Sequence, residues 1–390
     1  METLKEKDRA KEKQTLLDTL VVSRTFFPKT GGIEEYVYNR CLQEPSKVII
    51  LASGCQGDFA FDFKQPFITH RWSMPEWMFR GIIGSLLKQL LNMFWSFVLP
   101  IQLYFRYRYS NLEWGHGYDF PSLLLLTYLL PVKFVVYLHG NDVLCPLRNP
   151  LLRSWFAFTL NRTDKIVCNS SFTRDFLKAN FSVQTPIQVV NPKVRPEKFG
   201  LTSLPSNLDS LRSQIRQKYY IPETAIVILT VGRLVRRKGF DRVIKYLPNL
   251  ISEGIDVHYL ICGKGKIDSE LKDLAIQLGV DEKVHFAGFV PDRELANYYA
   301  ACDIFAMLTF LETNEQSIEG FGIVYLEAGY FGKPVIASNV GGVTDAVKHL
   351  ETGILVDPDA EEEILLVLRE LCIDEKLRKR LGNQGKNMVI

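Results

Sequence analysis

The order of short apolar runs and amphipathic stretches constrains this chain more than any single motif. Leu20–Ser23 is a run of strand length, followed by a glycine turn and a helical pattern over Ile33–Cys41. Further strand-like runs follow at Val48–Ala52, Leu112–Gly115, Lys133–Leu138, Lys165–Cys168 and Ile187–Val190. The alternation then restarts. Ala225–Val231 and Val257–Cys262 read as strands, each followed by a helix (Phe240–Ser252, Asp268–Leu278). Strands at Val284–Ala287, Asp303–Met307, Pro334–Ala337 and Gly353–Val356 complete the series. Short apolar strands separated by helices predict parallel sheets covered on both faces. The fold class is therefore α/β, built from two Rossmann-like domains with parallel sheets. The first domain spans residues 19–200 after a charged tail over 1–18. Breakers and polar residues mark a linker over 201–224, and the second domain spans 225–390. Ligand sites favour domain interfaces, so a cleft between two facing sheets is expected.

Composition limits the partners. A net charge of +3 on 390 residues is too small to argue for nucleic acid. The seven cysteines are scattered and form no Cys-x-x-Cys pair, as expected of reduced thiols in a cytoplasmic protein. Met1–Gln14 carries five basic and four acidic residues and no apolar stretch, which is not the pattern of a signal peptide. The longest uncharged stretch, Gln89–Phe105, is short for a membrane span and contains Asn92, Pro100 and Gln102. The wider stretch Glu76–Tyr109 begins with Trp77, Met78, Phe79 and Arg80 and ends with Arg106 and Arg108. One reading is a helix lying on a bilayer interface, which would make the protein peripheral on the inner face of a membrane. The other is a pair of core helices broken at Pro100.

Four places along the chain carry candidate chemistry. The stretch Glu319-Gly320-Phe321-Gly322-Ile323-Val324-Tyr325-Leu326-Glu327 sets two carboxylates eight positions apart, with Gly-Phe-Gly read as the first turn of a buried helix. At the rise of an α-helix the acids would be at most roughly 12 Å apart, enough to span a sugar nucleotide. The alternative is a helix with one solvated and one capping Glu. The turn Gly232–Gly239 follows a strand and bears Arg233, Arg236, Arg237 and Lys238. Arg233 and Lys238 are suited to a diphosphate whose charge grows as a glycosidic bond breaks. The Thr30-Gly31-Gly32 turn precedes a helix, as phosphate-binding turns do and as ordinary strand-to-helix turns also do. His139-Gly140-Asn141-Asp142 lies at the end of a strand, where open α/β sheets place ligand groups. There His139 would act on the reacting sugar or acceptor and Asp142 on an acceptor hydroxyl; a turn stabilised by Asn and Asp is the structural alternative. His116, in Gly115-His116-Gly117, is a similar candidate for the acceptor. Asp357-Pro358-Asp359 is explained by turn and cap duty, so no metal site is expected.

Taken together, the Arg233…Lys238 turn, the Glu319…Glu327 span and the Thr30-Gly31-Gly32 loop resemble the family 4 glycosyltransferases of the GT-B fold, over about Leu20 to Gly382. The Glu319–Ala328 stretch, Pro334–Ala337, Gly341-Gly342 and the opening Phe27–Ile33 are similar to the phosphatidylinositol mannosyltransferases. The resemblance implies transfer of a hexose with retention of configuration, from a nucleotide diphosphate sugar and without cofactor or metal. GDP-mannose is the first donor and UDP-glucose the next. It implies that Arg233 and Lys238 hold the diphosphate, that Glu327 meets the ribose and that Glu319 meets the hexose. It further implies amides of Phe321, Gly322 and Ile323 near the donor, Gly31 and Gly32 at its phosphates, His139 by the reacting carbon, and the base near Gly263 and Val290. The acceptor would be lipid-linked or membrane-associated; a soluble sugar or glycan acceptor, and binding of the nucleotide sugar without turnover, are the alternatives. Two departures stand out. The family's terminal helix, which crosses back onto the first domain, is missing from a chain that stops at Ile390. The usual Asn-Gly after the last strand of the first domain is Asn191-Pro192 here.

Overall fold

The computed structural model of the chain describes residues 17–74, 81–201, 204, 207–311 and 317–390. Trp77, Met78, Phe79 and Arg80 lie outside them. The chain divides into two compact units, Met1–Asn191 and Pro192–Ile390.

The first unit is built on a seven-stranded sheet in the order β3-β2-β1-β4-β5-β6-β7, every neighbouring pair parallel. Its strands are β1 (Thr19–Ser23), β2 (Val48–Ser53), β3 (Ile68–Trp72), β4 (Asn111–Trp114), β5 (Lys133–Leu138), β6 (Lys165–Cys168) and β7 (Ile187–Val189). The inner strands β1 and β2 lack polar alternation because both of their faces are covered. Leu20, Val22, Ile49 and Leu51 pack on one side, with residues of helices α2 (Gly81–Tyr107), α3 (Phe120–Leu129) and α4 (Pro150–Leu160). Val21, Ile50 and Ala52 point the other way, onto Val37 and Cys41 of helix α1 (Gly32–Gln43). The break expected at Pro100 does not occur: α2 runs through it. A proline interrupts one backbone bond of a helix. Here the buried Leu103 and Tyr107 beyond it, packed under the sheet, keep the second half in line. No helix among the described residues is long and apolar enough to cross a membrane.

The second unit has a six-stranded parallel sheet in the order β10-β9-β8-β11-β12-β13. These strands are β8 (Ile226–Val231), β9 (Val257–Cys262), β10 (Val284–Gly288), β11 (Ile304–Met307), β12 (Val335–Ser338) and β13 (Gly353–Val356). The stretch 201–224, expected as a linker, is corrected here. It contains helix α5 (Leu208–Lys218), which packs along α7 (Asp292–Ala301); α6 is Phe240–Ser252. Arg216 on α5 is fully buried. Its guanidinium donates to Pro222 O at 2.7 Å and Ala225 O at 2.9 Å, and pairs with Asp303 at 2.7 Å. A polar helix thus joins the unit through the buried Ile215 and the pairing of Arg216 and Arg212 with Asp303, which its polar composition did not reveal.

At the β9–β10 edge, His258 and His285 stack with ring centres 5.2 Å apart, and His258 Nδ1 lies 2.9 Å from His285 Nε2. Lys283 Nζ is 3.2 Å from His258 Nε2. Burial first, then His258 and Lys283, pushes the His285 imidazole down to about 4. The unfolded chain takes up this proton near the ordinary value of 6.5, whereas the folded chain resists it. Stability held above that pH is therefore lost as pH falls from 6.5 towards 4. Thermal melts at neutral pH and near pH 5 should show a larger drop for the parent than for His285→Leu.

Candidate functional site

In an open α/β sheet, ligands gather where the strand order reverses. In the second unit that point lies between β8 and β11. The turn leaving β8 carries the basic run; the chain leaving β11 leads to Glu319. Gly239 has φ 69° and its Cα faces the carbonyl of Leu308 so closely that no side chain fits. The basic turn therefore lies flat against the exit of β11, and Phe310 N–H donates to Arg237 O at 3.0 Å.

This packing joins the charges. Glu319 Oε2 lies 2.5 Å from Arg237 Nη1 and 2.7 Å from Lys238 Nζ. Its backbone carbonyl accepts from Gly342 N–H at 2.9 Å, so the Gly341-Gly342 turn holds the acid from the other side. Burial would raise the Glu319 carboxyl, but Lys238 and Arg237 outweigh it and hold it down to about 2. Burial depresses the Lys238 ammonium, and Glu319 offsets this only in part. Arg233 is exposed and makes no ion pair among the described residues. The partner of Glu319 beside Lys238 is Arg237, one residue along the same turn.

Glu327 occupies a separate network. Helix α8 (Ile323–Tyr330) starts after Gly322, so Gly-Phe-Gly is its approach and not its first turn. Phe321 is buried in the core beneath it. The Glu327 carboxylate accepts from Lys198 Nζ at 2.6 Å on one oxygen and from Tyr299 OH at 2.8 Å on the other. Lys198 stands 129 positions away in the chain, which hid it from sequence reasoning. Gly263 and Val290 sit at neighbouring strand ends: Gly263 N–H donates to Gly288 O at 2.8 Å, and Val290 is buried.

In the first unit the order reverses between β1 and β4. After β1, the Glu34 carboxylate lies directly over Gly31 and accepts from the Thr25 hydroxyl, while Gly32 is open. The ends of β4 and β5 bring His116, His139 and Asp142 together. His139 Nε2 lies 2.9 Å from Gly115 O; a carbonyl only accepts, so this nitrogen carries the proton. The His139 ring meets Tyr36 edge-on at 5.1 Å.

Two expected acceptor ligands are corrected. Asp142 is 1% exposed, and its two oxygens accept from Gly117 N–H at 2.7 Å and His139 N–H at 2.9 Å. It is the turn residue of this corner and holds His139 in place. His116 is 2% exposed, and its Nε2 accepts from Arg24 N–H at 2.9 Å. Burial above all, with Arg24 and His139, keeps it well below its ordinary value and so neutral. In this structure both side chains are buried and spend these atoms on backbone amides of the first unit. Among the described residues, no group of three His, Cys, Asp or Glu side chains is placed to hold a metal ion.

Two family models match adjoining parts of the chain: Glycosyltransferase Family 4 over residues 30–198 and Glycosyl transferases group 1 over 212–388. The chain belongs to the glycosyltransferases. A similar curated relative is the GDP-mannose-dependent alpha-(1-6)-phosphatidylinositol monomannoside mannosyltransferase of Mycobacterium tuberculosis. It is 31% identical over 64% of this glycosyltransferase, which spans 63% of that relative's length. The GDP-mannose-dependent monoacylated alpha-(1-6)-phosphatidylinositol monomannoside mannosyltransferase of Corynebacterium glutamicum is 28% identical, over 95% of this chain and 93% of its own. Among solved structures, Anabaena HepE in complex with UDP and glucose aligns with TM-score 0.74 at 18% identity, over 96% of this chain and 94% of its own. WaaG, involved in lipopolysaccharide biosynthesis, aligns with TM-score 0.65 at 19% identity, over 95% of each chain. The two solved structures share the GT-B fold of this glycosyltransferase.

Proposed function

We propose that this glycosyltransferase moves a hexose from a nucleotide diphosphate sugar to a lipid-linked acceptor, with retention and without a metal. The carrying observation is the Arg237–Lys238–Glu319 cluster at the strand reversal of the second unit. Transfer builds negative charge on the diphosphate, and fixed cations at that point lower the barrier. Lys238 and the exposed Arg233 meet the diphosphate, and Glu319 takes hexose hydroxyls. Glu327 takes the ribose, with Gly263 and Val290 near the base. Of the first unit, Gly31 and Gly32 serve the donor phosphates and His139 the reacting carbon. Mannose from GDP-mannose is the first choice, on the strength of the relatives' names; glucose from UDP-glucose follows.

The lipid acceptor is favoured by the surface of the first unit. Helices α2, α3 and α4 adjoin and expose Leu86, Leu90, Phe94, Tyr128, Trp155 and Phe158. Between Gly81 and Thr163 the sequence has seven Lys and Arg and three carboxylates, Glu113, Asp119 and Asp142. Those three carboxylates are buried, while Lys88, Arg106, Arg108, Arg153 and Arg162 on or beside these helices are exposed, with the exposed Asp164 following the last of them. That combination suits the interface of an anionic bilayer.

The test is a panel of GDP- and UDP-sugars incubated with and without anionic phospholipid extract, in the presence of a chelator. Label from GDP-mannose should appear in the lipid phase in α linkage. Label that stays in water with every lipid tried overturns the lipid acceptor. A chain that consumes no donor overturns the enzyme reading.

A further inference from the structure

Glu327 is a buried acid whose surroundings say more than its spacing did. Its two oxygens are held by two different groups, the Lys198 ammonium at 2.6 Å and the Tyr299 hydroxyl at 2.8 Å. A carboxylate offers about four lone-pair directions. One on each oxygen is thus taken, which leaves one acceptor on each, the number that two neighbouring hydroxyls need. The holders are themselves fixed. Tyr299 is fully buried on α7. Lys198 belongs to a short turn, Pro196–Phe199, whose Phe199 is buried against Tyr299 and Phe331, with ring centres 6.0 and 5.2 Å away. Asp292 Oδ1 also lies 3.9 Å from the ammonium.

We propose that Lys198 and Tyr299 are the positioning residues for ribose recognition: they lock the Glu327 carboxylate so that its two remaining lone pairs receive the vicinal hydroxyls of a nucleoside diphosphate. This rests on the donor reading above and adds to it how the discrimination between ribose and deoxyribose is built. The lock is assembled from three separate segments of the second unit, so the acid keeps its direction before any nucleotide arrives. Loss of the ammonium would let the carboxylate rotate, and a hydroxyl reader without a fixed direction reads poorly.

The experiment compares binding of GDP and UDP with binding of their 2′,3′-dideoxy analogues, by calorimetry on the full chain. A thermal melt of each variant checks folding. The parent should prefer the ribonucleotide by about ten- to a hundredfold, the range for hydrogen bonds to a charged group. Lys198→Met should lose most of that preference and Lys198→Arg should keep it. Tyr299→Phe, which leaves the ion pair in place, should lose part of it. A folded Lys198→Met with the parent's preference overturns the inference, as does one that binds the ribonucleotide more tightly, because the lysine would then be a plug. If Lys198→Met does not fold, the parent's preference retained in Tyr299→Phe overturns it. A parent chain that binds neither GDP nor UDP overturns the donor reading itself.

Discussion

Replacing Lys238 by alanine is expected to slow transfer at saturating donor about a hundred- to a thousandfold. The ammonium is largely shielded and sits 2.7 Å from Glu319, on a turn fixed against the exit of β11. Charge placed in advance and partly shielded from water stabilises a developing diphosphate far more than the same charge in solution. The fold should survive the change, because Arg237 still meets Glu319 at 2.5 Å. Steady-state kinetics with a thermal melt on the same sample make the check. A variant as fast as the parent would remove this ammonium from the reaction. The mirror variant, Glu319→Ala, should also abolish turnover, but at a cost in stability, since it leaves two cations crowded and unpaired.

The largest effect on stability should come from Arg216→Met. This fully buried guanidinium ties the helix Leu208–Lys218 to the carbonyls of Pro222 and Ala225 and to Asp303. Removing one partner of a buried pair typically costs about 3–5 kcal/mol. Asp303 would keep Arg212 at 2.9 Å and the Val227 N–H at 2.8 Å, so the loss should fall in the lower part of that range. A unit of this size should then melt on the order of 10 °C lower. A melt of the variant that overlays the parent's would show that the helix only brushes the unit.

Much of the fold was legible because the signal is local. Runs such as Val48–Ala52 and Val257–Cys262 are apolar without alternation, and a sheet covered on both faces is what such runs form. The cationic turn and Glu319 were legible as types, since four cations in six positions after a strand are unusual. What was lost depended on contacts between distant segments. The helix around Arg216 reads as polar linker until Asp303 is placed beside it. Asp142 reads equally as a ligand or as a turn residue until both of its oxygens are seen on backbone amides. Arg237 and Arg233 share one turn and one chemistry, and only the way the turn lies against β11 sets Arg237 on Glu319. Pro100 is a helix breaker in isolation, and only the packing on either side of it keeps the helix whole.

Helix α8, which carries Glu327, meets α9 (Glu375–Val389) glycine against glycine at its closest approach, with Val389 packed on the same core. Gly385 faces Gly329, and Gly382 faces the carbonyl of Gly332, with no room for a side chain at that second crossing. Where the two backbones touch there are no rotamers through which to slide or re-seat. The floor beneath Glu327 is therefore stiff at that crossing. Any yielding when a donor enters must come from the rim, the turns that bear Arg233 and Glu319, and substrate selection would be tuned there and not by shifting the helix underneath.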